Sequence, residues 1–262
     1  MKPHLKAISV AKPELGNTIC EDASRGSELM IVISDGAGGG GVFADRWAQY
    51  LVGETPEAPI SSFDEFAAWL EGIWNPFYEA HEVLSQQQGG MFQTKFYDEG
   101  SFATFVAAWR VGKQNVKWVA YGDTVVFHYN RQTKELHHSF SSLADFSQPP
   151  YLLNWKDEPV AEGFKSGEFC VEQPAYVFAC SDALAHYILM MYVMSKGETL
   201  EAGENKNGRL IQMAQQRQVD FEKQVLKPLF NALKSNALES HLRSLYRQGI
   251  LGLDDYSLAR LM

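Results

Sequence analysis

The sequence predicts an α+β layered sandwich. Three observations lead there: a block of antiparallel strand patterns at 101–138, helical periodicity grouped on either side of it, and no regular βαβα alternation. At 262 residues and 45% hydrophobic, the chain can bury one large core. Its 10 prolines are scattered, and no Ser/Gly-rich or charge-block linker divides it, so a single domain over residues 1–262 is expected.

The strand expectations come first. Lys6 to Ala11, Leu29 to Ser34, Ser101 to Val111, Val116 to Tyr121, Thr124 to Tyr129, Glu168 to Val171, Tyr176 to Cys180 and Tyr256 to Met262 are rich in β-branched and aromatic residues. Gly, Asn, Asp or Pro bounds them. Within 101–138, the breaks Gly112-Lys113-Gln114-Asn115 and Gly122-Asp123 read as turns of a meander.

Helices fill most of the remainder. Val42 to Val52 follows a glycine run directly. Phe63 to Gln88 places Phe63, Phe66, Leu70, Trp74 and Phe77 near helical spacing, with Ser61 or Ser62 as N-cap and Pro76 as a kink. This stripe is read as core-facing. Asp182 to Met194 is apolar nearly all round, as a buried helix requires. Gly208 to Gln248 reads as helical with a polar side and a break near Pro228, after a polar, mobile surface loop at Met194 to Asn207 that could shape substrate access. The segment 195–250 is therefore expected to be helical and partly mobile.

Composition excludes some functions. A formal charge of -9 argues against a nucleic-acid surface, which needs clustered Lys and Arg, and suits a cation site. Cys20, Cys170 and Cys180 show no paired spacing and read as free thiols in a reducing compartment. No apolar window approaches the roughly 18 to 20 residues of a membrane span, and the N-terminus lacks a signal-peptide core, so a cytoplasmic protein without membrane partners is expected.

Residues 30–41, MIVISDGAGGGG, carry the sharpest local signal: a buried-strand pattern ending in Asp35-Gly36 and more glycines. Such bare backbone lets a phosphate or a metal approach closely. The phosphate alternative would make Gly36 to Gly41 a GxGxxG dinucleotide loop. Against it, the acidic residue expected about 20 positions on would be Glu57, outside any strand pattern, and Asp35 would set negative charge where a pyrophosphate belongs. The metal alternative needs more carboxylates. Asp123, Asp182, Asp254-Asp255 and Glu21-Asp22 all lie at element boundaries beside core runs, and hard divalent cations want such oxygen ligands. Each aspartate taken singly reads more readily as a cap or turn residue; the recurrence of the pattern is what that reading leaves unexplained.

Glu21-Asp22-Ala23, Ser34-Asp35-Gly36, Gly100-Ser101-Phe102-Ala103-Thr104, Tyr121-Gly122-Asp123-Thr124, Cys180-Ser181-Asp182 and Asp254-Asp255-Tyr256-Ser257 follow one another in an order and character that resembles the type 2C, metal-dependent serine/threonine protein phosphatases. The resemblance runs from about residue 9 to the C-terminus and looks like that of a divergent, bacterial-type member. It implies a four-layer α/β/β/α sandwich, two antiparallel sheets flanked by helices, with two Mn²⁺ or Mg²⁺ ions at one end and a possible third, weaker site. Asp35 resembles the aspartate bridging both metals and Gly36 the glycine whose carbonyl ligates one. Asp182 and Asp254 resemble further ligands, Glu21 and Asp22 the acidic pair that holds metal-bound water or metal, and Asp123 the aspartate of the third site. Ser257 fixes the register that selects Asp254 over Asp255. The implied activity is hydrolysis of phosphoserine and phosphothreonine in proteins phosphorylated by a Ser/Thr kinase, through a metal-bridging water, with Asp35, Asp22 and Glu21 central to it.

Departures from that pattern define the alternative. Asn17 stands where the family often has a phosphate-gripping Arg, Ala37 where many eukaryotic members have His, Ala183 where Gly follows the later Asp, and Asp255 where Asn is usual. Arg25, Arg46 and His186 read as surface or packing residues, and His137-His138 as a solvated pair. A catalytically silent or specialised module of the same fold is the competing reading. Adjacent carboxylates without a cation raise one another's pKa and are costly to keep, which favours retained metal binding.

Overall fold

The computed structural model describes residues 6–12, 19–198 and 219–261. Twelve strands are present among them: β1 (Ala7–Val10), β2 (Ala23–Gly26), β3 (Met30–Ser34), β4 (Phe102–Ala103), β5 (Phe105–Val111), β6 (Asn115–Tyr121), β7 (Val125–Asn130), β8 (Glu135–His138), β9 (Leu153–Asn154), β10 (Phe164–Cys170), β11 (Ala175–Cys180) and β12 (Tyr256–Leu261). They form two five-stranded sheets, ordered β1-β12-β11-β7-β8 and β10-β6-β5-β3-β2, and a two-stranded ribbon β4-β9. Every strand pair among the described residues is antiparallel. A dinucleotide loop needs a parallel βαβ unit, so that alternative is ruled out for the glycine run.

Among the described residues the α-helices are α1 (Ala44–Glu54), α2 (Phe63–Gln88), α3 (Gly90–Asp98), α4 (Asp182–Ser195), α5 (Lys227–Lys234) and α6 (Leu238–Arg247). Three apolar layers hold the sandwich together. Ile31, Ile33, Val106, Val126, Val177 and Ala259 fill the space between the sheets. Trp47 and Leu51 of α1, Phe66, Leu70 and Phe77 of α2 and Phe96 of α3 cover the outer face of the second sheet. Leu184 and Ile188 of α4, Phe230 of α5 and Leu242 of α6 cover the outer face of the first. Alternation along β3 explains the layering: Ile31 and Ile33 point between the sheets, whereas Met30 and Val32 point to the helices. The result is the expected four-layer α/β/β/α sandwich.

Local chemistry sets the helix limits. Ser62 caps α2, its hydroxyl accepting the Glu65 N–H at 3.2 Å while the Glu65 carboxylate accepts the Ser61 N–H at 2.7 Å. The helix continues through Pro76 to Gln88. Near Pro228 the chain does not break: a π-helical turn, Glu222–Leu226, leads into α5, and Pro228 sits in the first turn of α5. The interruption comes instead at Asn236, with φ 57°, between α5 and α6. The polar stretch expected to be a loop falls partly at 199–207, outside the described residues, as do 208–218 of the expected long helix.

No helix among the described residues is long and apolar enough to cross a membrane. Phe66 packs against the rings of Trp69, Phe105, Tyr121 and Phe164 and is wholly buried. Phe66→Ala should therefore lower unfolding free energy by about 3–5 kcal/mol in urea titrations; a loss under about 1 kcal/mol would contradict this packing.

Candidate functional site

Strand register brings the acidic residues to one rim. Ala23 pairs with Ser34, which places Asp22, just before β2, beside Asp35, just after β3. Cys180 pairs with both Val125 and Leu258, which brings the β6–β7 turn with Asp123, the start of α4 with Asp182 and the approach to β12 with Asp254 to the same end. Ser34 Oγ donates to the Thr104 carbonyl at 2.7 Å, and the Thr104 N–H donates to the Asp35 carbonyl at 2.8 Å, fixing the end of β3. A chain of hydroxyls crosses between sheets here: Ser9 Oγ lies 2.9 Å from Ser24 Oγ and 2.6 Å from Ser257 Oγ, and the Ser257 N–H donates to Ser181 Oγ at 2.8 Å.

The glycine run serves this rim at two positions. A Cβ on Gly36 would stand 2.6 Å from the Glu21 carbonyl oxygen and 2.7 Å from that of Ala44, so only glycine fits where the loop crosses the Glu21 segment. Gly41 has φ 65°, a left-handed conformation in which its N–H donates to the Glu99 carboxylate at 2.6 Å.

The electrostatics are those of crowded like charges. Burial, followed by the charges of Asp22, Asp182, Asp123 and Asp254, raises the Asp35 carboxyl well above the usual range. Burial pushes Asp22 up to about 7, against the lowering influence of Ser257, the Asp35 carboxyl and Ser181 beside it. Asp182 is pushed up to about 8 by burial and then by Asp123 and Asp254, and Asp123 to about 6 by burial and Asp254. Burial raises Asp254 too, with Lys12 opposing it. Glu21 is tied by its N–H to Asp255, at 2.7 Å.

These groups suit a hard divalent cation in donor type, since all are oxygen donors. Both carboxylate oxygens of Asp22 are sealed from solvent without a hydrogen bond of sound geometry, which is the condition of a group that lacks a positive partner. Among the described residues, however, no set of three or more His, Cys, Asp or Glu side chains is arranged as a metal cage. The aspartates stand close enough to perturb one another without closing around a point.

No protein-family model matches the sequence, and no curated protein matches it significantly. Solved structures do match. The serine/threonine phosphatase Stp1 from Staphylococcus aureus aligns at TM-score 0.53 and 14% identity, over 98% of this chain and 94% of that one. The catalytic domain of the serine threonine protein phosphatase PstP, in complex with two manganese ions, aligns at TM-score 0.52 and 15% identity over 97% and 95%. PppA, a regulatory component of T6SS in Pseudomonas aeruginosa, aligns at 0.52 and 15% over 98% and 96%. The chain shares their fold. At such identity the likeness is one of architecture, and it agrees with the two-sheet sandwich flanked by helices.

Of the sequence-predicted site residues, Asp22, Asp35, Asp123, Asp182 and Asp254 lie within electrostatic reach of one another. The Asp182 carboxylate also accepts the Ala183 N–H at the start of α4. Asp255 is a clamp, its carboxylate accepting the N–H groups of Lys12 and Glu21, both at 2.7 Å. Asn17 lies outside the described residues. Arg25 donates to the carbonyls of Gly53 and Thr55, the Arg46 guanidinium lies over the Phe43 ring, and the His186 ring packs edge-on against Phe146, all consistent with packing roles. His137 is exposed, its ring stacked with that of buried His128 across the β7–β8 pair, whereas His138 is half-buried, so the two do not form the solvated pair expected.

Sequence reasoning missed Lys12. Its ammonium group lies 3.4 Å from Glu21 Oε2 and 3.5 Å from Asp254 Oδ1. Burial works against its charge, but Asp254, Asp255 and Glu21 prevail and raise its pKa. The signal was the continued β1–β12 register: Val10 pairs with Tyr256, so two residues further Lys12 faces Asp254.

The raised aspartates fix the sign of a pH effect. Between pH 6.5 and 8 the unfolded carboxylates, with pKa near 3.9, have lost their protons, while Asp22 and Asp182 in the folded chain still hold theirs in part. Folded protein binds more protons than unfolded, so stability in chelator should fall as pH rises across this window. Urea midpoints at pH 6.5, 7.2 and 8 check it, with Asp182→Asn expected to flatten the slope; stability that stays level or rises in the parent protein would contradict the crowding of these groups.

Proposed function

We propose that the chain is a cytoplasmic, metal-dependent phosphatase acting on phosphoserine and phosphothreonine monoesters of a phosphorylated protein. The observation that carries the proposal is the crowding of Asp22, Asp35, Asp123, Asp182 and Asp254 at one rim of a sandwich that has the fold of Stp1 and PstP. Two divalent cations, Mn²⁺ or Mg²⁺, would supply Lewis acidity and an activated water when bound, with a third, weaker site near Asp123. PstP, crystallised with two manganese ions, supports this choice of metal.

The residues take distinct parts in this reading. Asp35 lies at the centre of the charge network and would be shared between the cations, with the Gly36 carbonyl beside it. Asp182 and Asp254 would complete the coordination, and Asp22 with Glu21 would hold and orient water. Aspartates that lie above the usual pKa range in the metal-free chain give up their protons on cation binding, so affinity rises with pH. No side-chain nucleophile is called upon. Cys180 is wholly buried and its thiol is raised well above its usual range by burial, and the half-buried Cys20 thiol is raised by burial and then by Asp22 and Asp255, which removes both as thiolate nucleophiles at neutral pH.

A non-catalytic module is the second reading, favoured by the lack of a metal cage among the described residues and by the ammonium group of Lys12 at the acidic rim. Hydrolysis of p-nitrophenyl phosphate separates the two. The expected outcome is a Mn²⁺-dependent rate, abolished by chelator and lowered at least about 100-fold by Asp35→Asn, the scale on which loss of one preorganised charge-stabilising group is felt. No metal-dependent rate, or one that survives the substitution, would favour the module.

A further inference from the structure

We propose that Lys12 is a built-in counter-cation of the acidic rim, which a divalent cation must displace from Glu21 and Asp254 in order to bind. The inference rests on the metal-site reading above and adds to it a competitor carried by the chain itself. Three observations support it. First, the Lys12 ammonium bridges two carboxylates on separate segments, at 3.4 Å to Glu21 and 3.5 Å to Asp254. Second, the bridge is built in from the backbone: one carboxylate, Asp255, accepts the main-chain N–H of Lys12 through Oδ1 and that of Glu21 through Oδ2, holding lysine and partner in register. Third, Asp254, one of the two partners, leads into β12 at the rim to which strand register also brings Asp35, Asp123 and Asp182.

The bridge is also suited to exchange. Its distances are longer than those of a tight charge-assisted hydrogen bond, and the three side chains are each about one-third exposed, at 33% for Lys12, 31% for Glu21 and 39% for Asp254. Ion pairs of this kind contribute little and are screened by salt. A divalent cation, with twice the charge and several oxygen ligands, can replace the ammonium group at Asp254, after which the flexible lysine stem swings into solvent. Because the two cations exclude one another, each weakens the other's hold on the same carboxylates.

Calorimetric titration of Mn²⁺ into the full chain, with Lys12→Met, Lys12→Gln and Lys12→Arg beside the parent, tests this. Removing the charge should tighten Mn²⁺ binding about three- to tenfold in both neutral variants, as expected for loss of one or two part-exposed ion pairs, whereas Lys12→Arg should stay within about twofold of the parent. Melting temperature supplies a readout independent of metal affinity: in chelator the neutral variants should melt below the parent, and in saturating Mn²⁺ the gap should close. Equal Mn²⁺ affinity across all four proteins would overturn the proposal while leaving the metal site standing. If neither parent nor variants bind Mn²⁺, the metal-site reading fails and this proposal with it.

Discussion

Like charge gathered at one rim is the constraint on which the rest of this structure turns. Asp22, Asp35, Asp123, Asp182 and Asp254 come from five separate boundaries between elements, and none is placed there by local sequence alone. Antiparallel register does the placing. The pairs Ala23–Ser34, Cys180–Val125, Cys180–Leu258 and Val10–Tyr256 all end at the same edge, so a residue just beyond any of these strands must share that edge with the others. Burial then removes the water that would screen them and, with the charge of their neighbours, raises the proton affinity of Asp35, Asp182 and Asp123.

Holding such a group together without a cation is unfavourable, and the surrounding chain shows how the cost is met. Hydroxyls of Ser9, Ser24, Ser257 and Ser181 link the sheets beneath the rim, Asp255 spends its oxygens on backbone N–H groups of both Lys12 and Glu21, and Lys12 supplies one positive charge. Away from the rim, the three apolar layers carry the stability. A scaffold held by Trp47, Phe66 and Phe178 in its layers offsets crowded charge at its end.

Much of the fold was legible in the chain because its signals are local. Phe63–Gln88 shows its helix by apolar spacing and its start by Ser62, and the strands β5 to β7 show their turns through Gly112 and Gly122, both of which adopt positive φ. The misses have physical causes. Ala23-Ser24-Arg25-Gly26 has little intrinsic strand preference and becomes β2 by pairing with β3. Gly89-Gly90 hid α3, whose Phe96 packs against α2 through Tyr78. Pro228 read as a break, but the helical backbone runs on through it from the π-helical turn Glu222–Leu226 into α5. At the site, the aspartates were visible as residues ending core runs. The Lys12–Asp255 contact was not, because it joins residues 243 positions apart and depends on β1–β12 register.

The central claim is that the acidic rim is a divalent-cation site organised around Asp35. Anomalous diffraction from crystals of the full chain soaked in Mn²⁺ tests it most directly. The account predicts manganese peaks in contact with Asp35, with Asp182 and Asp254 as further ligands; peaks confined to other surfaces, or none at the rim at saturating Mn²⁺, would contradict it.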